Sequence, residues 1–421
     1  MLTAMADVPA VTSDDAADVV DVALRRRTLA IVSLATLGAL TVWFSTNAIG
    51  SALGDELGFG SGELAWLTIA AQFGFVTGTL GSALTNLTER MNARRLFAIS
   101  ALLAALANIA PIASDSFAVW LLARFLTGAF LGGVYPPALH VISGWYRSGR
   151  GFAMGVVVGA LTLGSGSPHL LRALLEGEWQ STMIVASALT AAGGAAMWLA
   201  VREGPFHASP PRVRLAEFWR GVSGRAPLLA LGGYRGHMWE LYAMWAWLPV
   251  FLGELYDDRE VPLIGLGAGS VAAFAVFALG AASCVVAGVL AERRGRTLVT
   301  SVAMVGSGSM ALVIGFVPAS LVLVTVLAAI WGATVVADSA QFSAAMTELA
   351  DEHYRGSALA LQTGVGFLLT AVTIRGVPIV EAAAGWGPAF AMLAIGPALG
   401  TLAMLALRRR PEAALLAGGN R

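Results

Sequence analysis

The sequence contains no lysine, so all 26 of its basic side chains are arginines. Cysteine occurs once, as Cys284, which excludes an intramolecular disulfide and a cysteine-based metal cluster. Charged residues make up 12% of the chain, whereas a soluble globular protein carries roughly a quarter. This shortage excludes an ordinary soluble protein. The 26 basic and 26 acidic groups balance, so there is no basic excess of the kind that indicates a nucleic-acid partner.

Apolar sequence is abundant, because 57% of the 421 residues are hydrophobic. A membrane-spanning helix needs about 20 mostly apolar residues to cross about 30 Å of hydrocarbon. Twelve runs of this kind can be marked, and the sequence therefore predicts an all-α membrane protein with twelve transmembrane helices. The runs are residues 28–50, 64–87, 95–113, 117–143, 151–175, 181–201, 227–253, 267–290, 297–316, 319–343, 356–380 and 386–407.

The distribution of arginine predicts the orientation of these runs. Arginine is concentrated in the loops that face the cytoplasm if the amino terminus lies inside, while the opposite loops are acidic. An even number of spans then puts both termini in the cytoplasm, and we expect a multi-pass protein of the cytoplasmic (inner) membrane. The predicted parts are a cytoplasmic tail over 1–27, a six-helix bundle over 28–201, a cytoplasmic linker over 202–226, a second six-helix bundle over 227–407 and a cytoplasmic tail over 408–421.

The two predicted bundles carry similar loops. "NLTERMNARRL" follows the second run and "GVLAERRGRT" follows the eighth, which places Glu89 and Glu292 203 positions apart. "RGFAMG" begins at Arg150 and "RGSALA" begins at Arg355, a separation of 205 positions. Two loops with nearly the same offset indicate an internal repeat of six helices, which is one of the plans found in secondary transporters.

These loops also resemble a known family. "GVLAERRGR" resembles the G-x-L-A-D-R-x-G-R-R loop of the major facilitator superfamily, with Glu292 in place of the usual aspartate. "RFLTG", which contains Arg124 and Gly128, is similar to the Arg-x-x-x-Gly motif in the fourth helix of that superfamily. The resemblance covers nearly the whole chain. It implies two pseudo-symmetric six-helix bundles around one central cavity that opens alternately to either side of the membrane.

Charged residues of the repeated loops are candidates for a cytoplasmic gate, in which pairs between the two halves hold the inner side closed. The alternative is a solvated loop that serves only to set the topology, since exposed ion pairs stabilise a protein by less than about 1 kcal/mol. The gate candidates are Glu89, Arg90, Arg94, Arg150, Glu292, Arg293, Arg296 and Arg355.

Ionisable side chains within the predicted spans are costly in lipid and therefore indicate function. None falls in the interior of the third, sixth, ninth or twelfth run, which the resemblance places at the periphery. His237 and Glu240 are three residues apart and share a helix face. Together with Asp338 they are the candidates for proton coupling, and the alternative for each of them is a static buried ion pair.

A further set of side chains in the spans is predicted to line the substrate cavity. The alternatives are a structural or coupling role for Arg124, and contact with core or lipid for the aromatic residues. The candidates are Arg124, Arg235, His169, Arg172, Arg375, Trp43, Asn47, Trp239 and Tyr242.

The predicted function is secondary active transport of a small organic solute, coupled to protons. Four arginines against two carboxylates within the spans favour an anionic solute. Two alternatives stay open, a proton-driven efflux antiporter for drugs or metabolites and, in another class, a membrane sensor that does not transport. The sequence has no H-E-x-x-H, paired-aspartate or Walker motif, so we expect neither an enzyme nor a bound metal or organic cofactor. We expect a monomer whose partners are the lipid bilayer, the small-molecule substrate and a proton gradient.

Overall fold

A computed structural model describes residues 22–85, 87–146, 150–175, 178–206, 217–257, 267–317 and 320–420. This part of the chain is helical and contains no strand. The predicted amino-terminal tail is described only from Val22 onward, and residues 207–216 of the predicted linker lie outside the described residues. The boundaries assigned to the tails and the linker stay predictions.

Twelve long helices, α1 to α12, follow one another along the described chain. α1 consists of three segments, Val22–Leu40, Ser45–Ala48 and Gly50–Leu57. The first half continues with α2 Ser61–Leu84, α3 Ala93–Ala113, α4 Phe117–Ser143, α5 Arg150–Leu174 and α6 Trp179–Ala200. The second half contains α7 Arg225–Asp257, α8 Ala268–Arg294, α9 Arg296–Phe316, α10 Leu321–Leu349, α11 Arg355–Ala384 and α12 Trp386–Arg408. The end of the molecule at which α1 begins is called the inner end, and the opposite end is called the outer end.

Ten of these helices are long and apolar enough to cross a membrane, judged by length and composition over the described residues. The other two are α1, which is interrupted at residues 41–44, and α7, whose middle contains Arg235, His237 and Glu240. A helix satisfies its backbone hydrogen bonds internally, which is the requirement that lipid imposes on a spanning segment. The surface is accordingly apolar: Leu199 and Val322 are 80% and 75% exposed.

The same helix pairs pack in each half of the protein. In the first half, α1 packs against α5 and α6, α2 against α4, and α3 against α4 and α6. In the second half, α7 packs against α11 and α12, α8 against α10, and α9 against α10 and α12. The halves meet through α5 with α8 and through α2 with α11. This arrangement confirms the predicted fold of two pseudo-symmetric six-helix bundles.

Glycine allows α2 and α4 to pack with their backbones in contact. A Cβ atom added at Gly78 would overlap the carbonyl oxygen of Ala129, and one added at Gly128 would overlap the carbonyl oxygen of Ala71. A larger residue at either glycine would therefore push the two helices apart. Small residues commonly permit such close helix contacts in membranes.

The contact between α5 and α8 also brings backbone against backbone at two glycines. A Cβ atom at Gly159 would lie 2.7 Å from the carbonyl oxygen of Ala281, and one at Gly155 would lie 3.2 Å from the carbonyl oxygen of Cys284. Few side chains therefore separate the two bundles along this line. These two glycines of α5 thus pack against the second half of the protein, whereas Gly164 packs against Leu37 of α1.

The segment Pro411–Gly419 begins as a 3-10 helix, is kinked at residues 416–418 and docks on the inner end of the second bundle. Leu416 of this segment is fully buried. The backbone nitrogen of Ala417 donates a 3.1 Å hydrogen bond to Oε2 of Glu348, at the end of α10. The side-chain amide of Asn420 donates a 2.8 Å bond to the carbonyl oxygen of Glu292, at the end of α8. The segment therefore connects two helix ends of one bundle.

Candidate functional site

Arg124 of α4 lies inside the first bundle, beside the interruption of α1. The helix is broken there, so the carbonyl oxygens of Val42 and Trp43 need donors other than helical N–H groups. Nη1 of Arg124 donates a 2.9 Å hydrogen bond to Val42, and Nη2 donates to Trp43. Arg124 is 1% exposed. The guanidinium thus replaces hydrogen bonds that α1 has lost, and it faces its own bundle rather than the contact between the halves.

Asn108 of α3 extends this arrangement to two further helices. Its Oδ1 accepts hydrogen bonds from Arg124 Nη1 at 3.1 Å and from the Ser45 hydroxyl at 2.7 Å. Its Nδ2 donates a 3.1 Å bond to the hydroxyl of Ser187 on α6. Four helices of the first bundle therefore meet at one buried polar network, and this geometry is the one expected of a structural arginine.

Glu240 of α7 is the matching buried charge of the second bundle. Its Oε2 accepts a 2.7 Å hydrogen bond from the hydroxyl of Ser307 on α9, and its Oε1 accepts a 2.7 Å bond from the indole of Trp331 on α10. Glu240 is 1% exposed. Both donors are uncharged, and no described cation is hydrogen-bonded to this carboxylate.

His237 pairs with Asp338 and not with Glu240. Its Nδ1 lies 2.8 Å from Oδ1 of Asp338, and both side chains are buried. Asp338 occupies the interruption of α10 between the segments Leu321–Ala337 and Ser339–Leu349. Nε2 of His237 has no hydrogen-bond partner among the described residues. The three predicted proton-coupling residues therefore lie between α7 and its neighbours, but as two separate groups.

The middle of the protein is closed by a set of rings that we call the central aromatic cluster. Ring centroids of Trp43 and Phe75 are 4.9 Å apart, those of Phe75 and Phe367 are 4.7 Å apart, and those of Tyr242 and Phe367 are 5.0 Å apart. Trp43 and Phe75 belong to the first bundle, and Tyr242 and Phe367 belong to the second, so the cluster joins the halves. Its members are Trp43, Phe44, Phe75, His169, Tyr242, Trp245, Phe277 and Phe367.

Four of the predicted cavity residues lie in or beside this cluster. Trp43 and Tyr242 are members, with centroids 6.0 Å apart. His169 stacks on Phe277 at 5.8 Å. Asn47 lies one turn beyond Trp43 on α1, and its Oδ1 accepts a 3.2 Å hydrogen bond from the Thr68 hydroxyl of α2.

Other predicted cavity residues are placed elsewhere. Arg235 is exposed, because it lies on the face of α7 opposite the one that carries His237 and Glu240. The indole of Trp239 donates a 3.1 Å bond to the Met392 carbonyl of α12. Arg375 packs against Gly62, at the outer start of α2. Arg172 is half-buried near the outer end of α5.

Among the gate residues whose side chains are described, Glu292 contacts the opposite bundle. Its carboxylate lies over Gly151, the second residue of α5, where an added Cβ atom would overlap Oε1. The first turn of a helix has unpaired N–H groups and a partial positive charge, which favour a nearby carboxylate. Glu292 therefore joins the end of α8 to the start of α5 at the inner end.

The remaining gate residues contact their own bundles, are exposed, or lie outside the described residues. Arg94 donates to the carbonyl oxygen of Val201 and so connects α3 to the end of α6. Arg296 forms two parallel hydrogen bonds with Glu348, at 2.8 and 2.6 Å, which join α9 to α10. Arg90 and Arg293 are exposed and Arg355 is half-buried, while the side chains of Glu89 and Arg150 lie outside the described residues.

Sequence reasoning missed the uncharged members of these sites. Asn108, Ser307 and Trp331 complete the buried networks, and Gln72 is fully buried beside the central aromatic cluster. A search for charge passes over such residues. An isolated amide within a long apolar run, as in "LTIAAQFGFVTG", is the signal that could have identified Gln72.

Comparisons with known proteins agree with this architecture. No curated protein matches the chain. A similar solved structure is the crystal structure of a bacterial homolog to the human lysosomal transporter Spinster, in an inward-facing and unoccupied conformation. The two share 15% identity at a TM-score of 0.66, over 92% of this chain and 99% of that chain, which shows a common fold. Residues 32–374 match the family model of the Major Facilitator Superfamily. The protein therefore belongs to the major facilitator superfamily, and it is a multi-pass membrane protein and a secondary transporter.

Proposed function

We propose that this transporter moves a small organic solute across the cytoplasmic membrane and couples that movement to protons. The two bundles open alternately to either side, and the inner end faces the cytoplasm together with both termini. The concentration of arginine in the loops of the inner end supports this orientation.

The observation that supports proton coupling is the environment of Glu240. An ionised carboxylate away from water is costly unless a cation or several donors compensate it. The two donors of Glu240 are a hydroxyl and an indole, neither of which carries charge. We therefore propose that Glu240 binds and releases a proton when its access to water changes during transport.

His237 and Asp338 are the proposed second element of the coupling. They connect α7 to the interruption of α10, one helical turn from Glu240 on the same face of α7. A proton gained or lost by this pair changes the attraction between the two helices. We propose that protonation of these groups and movement of α7 against α10 are linked.

Replacing Glu240 by glutamine is expected to abolish proton-driven transport while leaving solute exchange intact. Glutamine keeps the size of the side chain, its oxygen can still accept from the Trp331 indole, and its amide nitrogen can donate to the Ser307 hydroxyl, but it cannot release a proton. The pH inside proteoliposomes is measured while uncharged, anionic and cationic solutes are added in turn. For a solute that causes proton movement, exchange is then measured as counterflow, the uptake of labelled solute into proteoliposomes loaded with the unlabelled form.

Glu254→Gln is the matched control. Glu254 lies on the same helix and also accepts a bond from an indole, at 2.9 Å from Trp386, but it is exposed at the outer end. The control should behave as the wild type does. Unchanged proton movement in Glu240→Gln would reject Glu240 as the carrier.

We also propose that Glu292 stabilises the closed inner end through its contact with the start of α5. Cys284 can report on this, since it is the only cysteine of the chain and is buried on α8 about two turns from Glu292. Glu292→Gln removes a charge–dipole attraction, and alkylation of Cys284 by N-ethylmaleimide should become about two- to fivefold faster.

Arg293→Gln is the control for this experiment. Arg293 is exposed next to Glu292 and changes the charge of the same loop. Its substitution should leave the alkylation rate unaltered. Equal acceleration in both variants would show that loss of any charged side chain from this loop, and not loss of the contact with α5, loosens the inner end.

A further inference from the structure

Several polar atoms beside the central aromatic cluster are buried and lack hydrogen-bond partners. Over the described residues, these atoms include the indole nitrogens of Trp43 and Trp245, the hydroxyl of Thr46, and both ends of the Gln72 amide. All four residues are at least nine-tenths buried. Native proteins pair nearly all of their buried polar groups, so a concentration of unpaired ones in one place is unusual and indicates that something else pairs with them.

Neighbouring contacts show that these atoms share one region. Gln72 lies on α2 one turn from Thr68 and nearly one turn from Phe75, so the three side chains lie on one face. Thr68 donates to Asn47 of α1, and Phe75 packs edge-on against Trp43 of α1. Gln72 therefore faces the segment of α1 that also carries Thr46.

The second bundle contributes ring faces to the same region. The Trp43 ring lies 6.0 Å from that of Tyr242 and 6.2 Å from that of Phe367. Phe367 also lies 4.7 Å from Phe75. A flat group could therefore take the place of these ring–ring contacts when the bundles separate, with indole, amide and hydroxyl groups at its edge.

The chemistry of the region determines the class of solute. Its unpaired groups are two indole donors, a hydroxyl, an amide that donates at one end and accepts at the other, and Nε2 of His169. The indoles, the hydroxyl and the amide carry no charge. Both terminal nitrogens of the nearest predicted anion ligand, Arg124, are already bonded to the carbonyl oxygens of Val42 and Trp43, and its Nε lacks a partner among the described residues.

We propose that this region binds an uncharged aromatic solute that carries an amide-like group. Its ring packs between Trp43 and the rings of Tyr242 and Phe367, and its polar group pairs with Gln72 and the indole of Trp43. If the bound solute is also the one that is transported, this inference rests on the proposed transport function. It replaces the anionic solute that the count of arginines favoured.

Three probes that share one ring separate the charge classes: benzamide is neutral, benzoate is an anion and benzylamine is a cation near neutral pH. Binding to the purified full-length protein in detergent is measured by ligand-observed NMR titration. A ligand of this size is expected to have a Kd on the order of 1 mM. Benzamide should bind at least about tenfold more tightly than either charged probe, because the terminal nitrogens of Arg124 are already paired with carbonyl oxygens and none of the groups proposed to meet the solute is charged.

Gln72→Leu provides the decisive variant, because its two expected effects differ in direction. Removing an unpaired buried amide should leave the melting temperature unchanged or raise it, while benzamide binding should weaken about tenfold. Trp43→Phe keeps an aromatic ring and loses one donor, so it should weaken binding less. Thr79→Val is the control, since it removes another unpaired buried hydroxyl of α2 two turns farther toward the inner end; benzamide binding should not change.

The proposal is overturned if benzoate or benzylamine binds as tightly as benzamide, or if benzamide fails to bind at about ten times the expected Kd. It is also overturned if Gln72→Leu lowers the melting temperature or leaves benzamide binding intact. These measurements need neither a membrane nor a pH gradient. Failure of proton coupling would therefore leave them valid, and their failure would leave the test of Glu240 valid.

Discussion

Gly78→Ala is expected to destabilise the protein by about 3 kcal/mol, whereas Gly81→Ala in the same helix should be neutral or stabilising. A Cβ atom at Gly78 would overlap the carbonyl oxygen of Ala129. That oxygen is backbone and cannot rotate away, so α2 and α4 would have to separate. Separation would break their contact along its whole length.

Gly81 is a matched control because nothing lies within 4 Å of a Cβ atom added there. Alanine has the higher helix propensity, by up to about 1 kcal/mol in a helix interior, so the two substitutions should have opposite signs. Melting temperatures in one detergent, followed by tryptophan fluorescence, make the comparison. Equal melting temperatures for the two variants would show that α2 and α4 do not meet as described.

Arg124→Leu is expected to prevent recovery of a folded, monodisperse protein. The carbonyl oxygen of Trp43 would lose its side-chain donor, and that of Val42 would keep only the Ser45 hydroxyl at 3.1 Å. Each buried acceptor left unpaired costs about 1 to 3 kcal/mol. Arg124→Lys should be intermediate, since an ammonium group keeps the charge but lacks the planar fork that reaches both oxygens. Size-exclusion chromatography and melting temperature measure the outcome.

Arg235→Leu serves as the comparison for Arg124. Arg235 is an arginine of another long helix, but its side chain is exposed, so its replacement should change the melting temperature little. A stable Arg124→Leu variant that had lost solute binding would contradict the structural role. It would instead support the expectation that Arg124 lines the substrate cavity.

Hydropathy predicted the helices well wherever a run is continuous and apolar. The run at residues 117–143 coincides with α4, which spans Phe117–Ser143. The run at residues 28–50 differs from α1, which is broken after Leu40 and continues to Leu57. The break depends on Arg124, a residue about 80 positions away, and hydropathy along a window contains no information on such a partner.

The candidate site was predictable in its charged residues but not in its pairings. Spacing placed His237 and Glu240 on one face of α7, but it cannot show which neighbour each one meets. His237 meets Asp338 across one contact, while Glu240 meets Ser307 and Trp331 across another. The partners of Glu240 carry no charge, so a search for opposite charges could not find them.

The glycines of α5 have a consequence for how the two bundles move. At Gly155 and Gly159, α5 meets the backbone of α8 directly, so no side chain of α5 has to withdraw at these two positions before the helices tilt against each other. The α2–α11 contact is different, because the rings of Phe75 and Phe367 must part before it can open. We expect the α5–α8 contact to act as the hinge about which the two bundles rotate. The α2–α11 contact is then the one that opens.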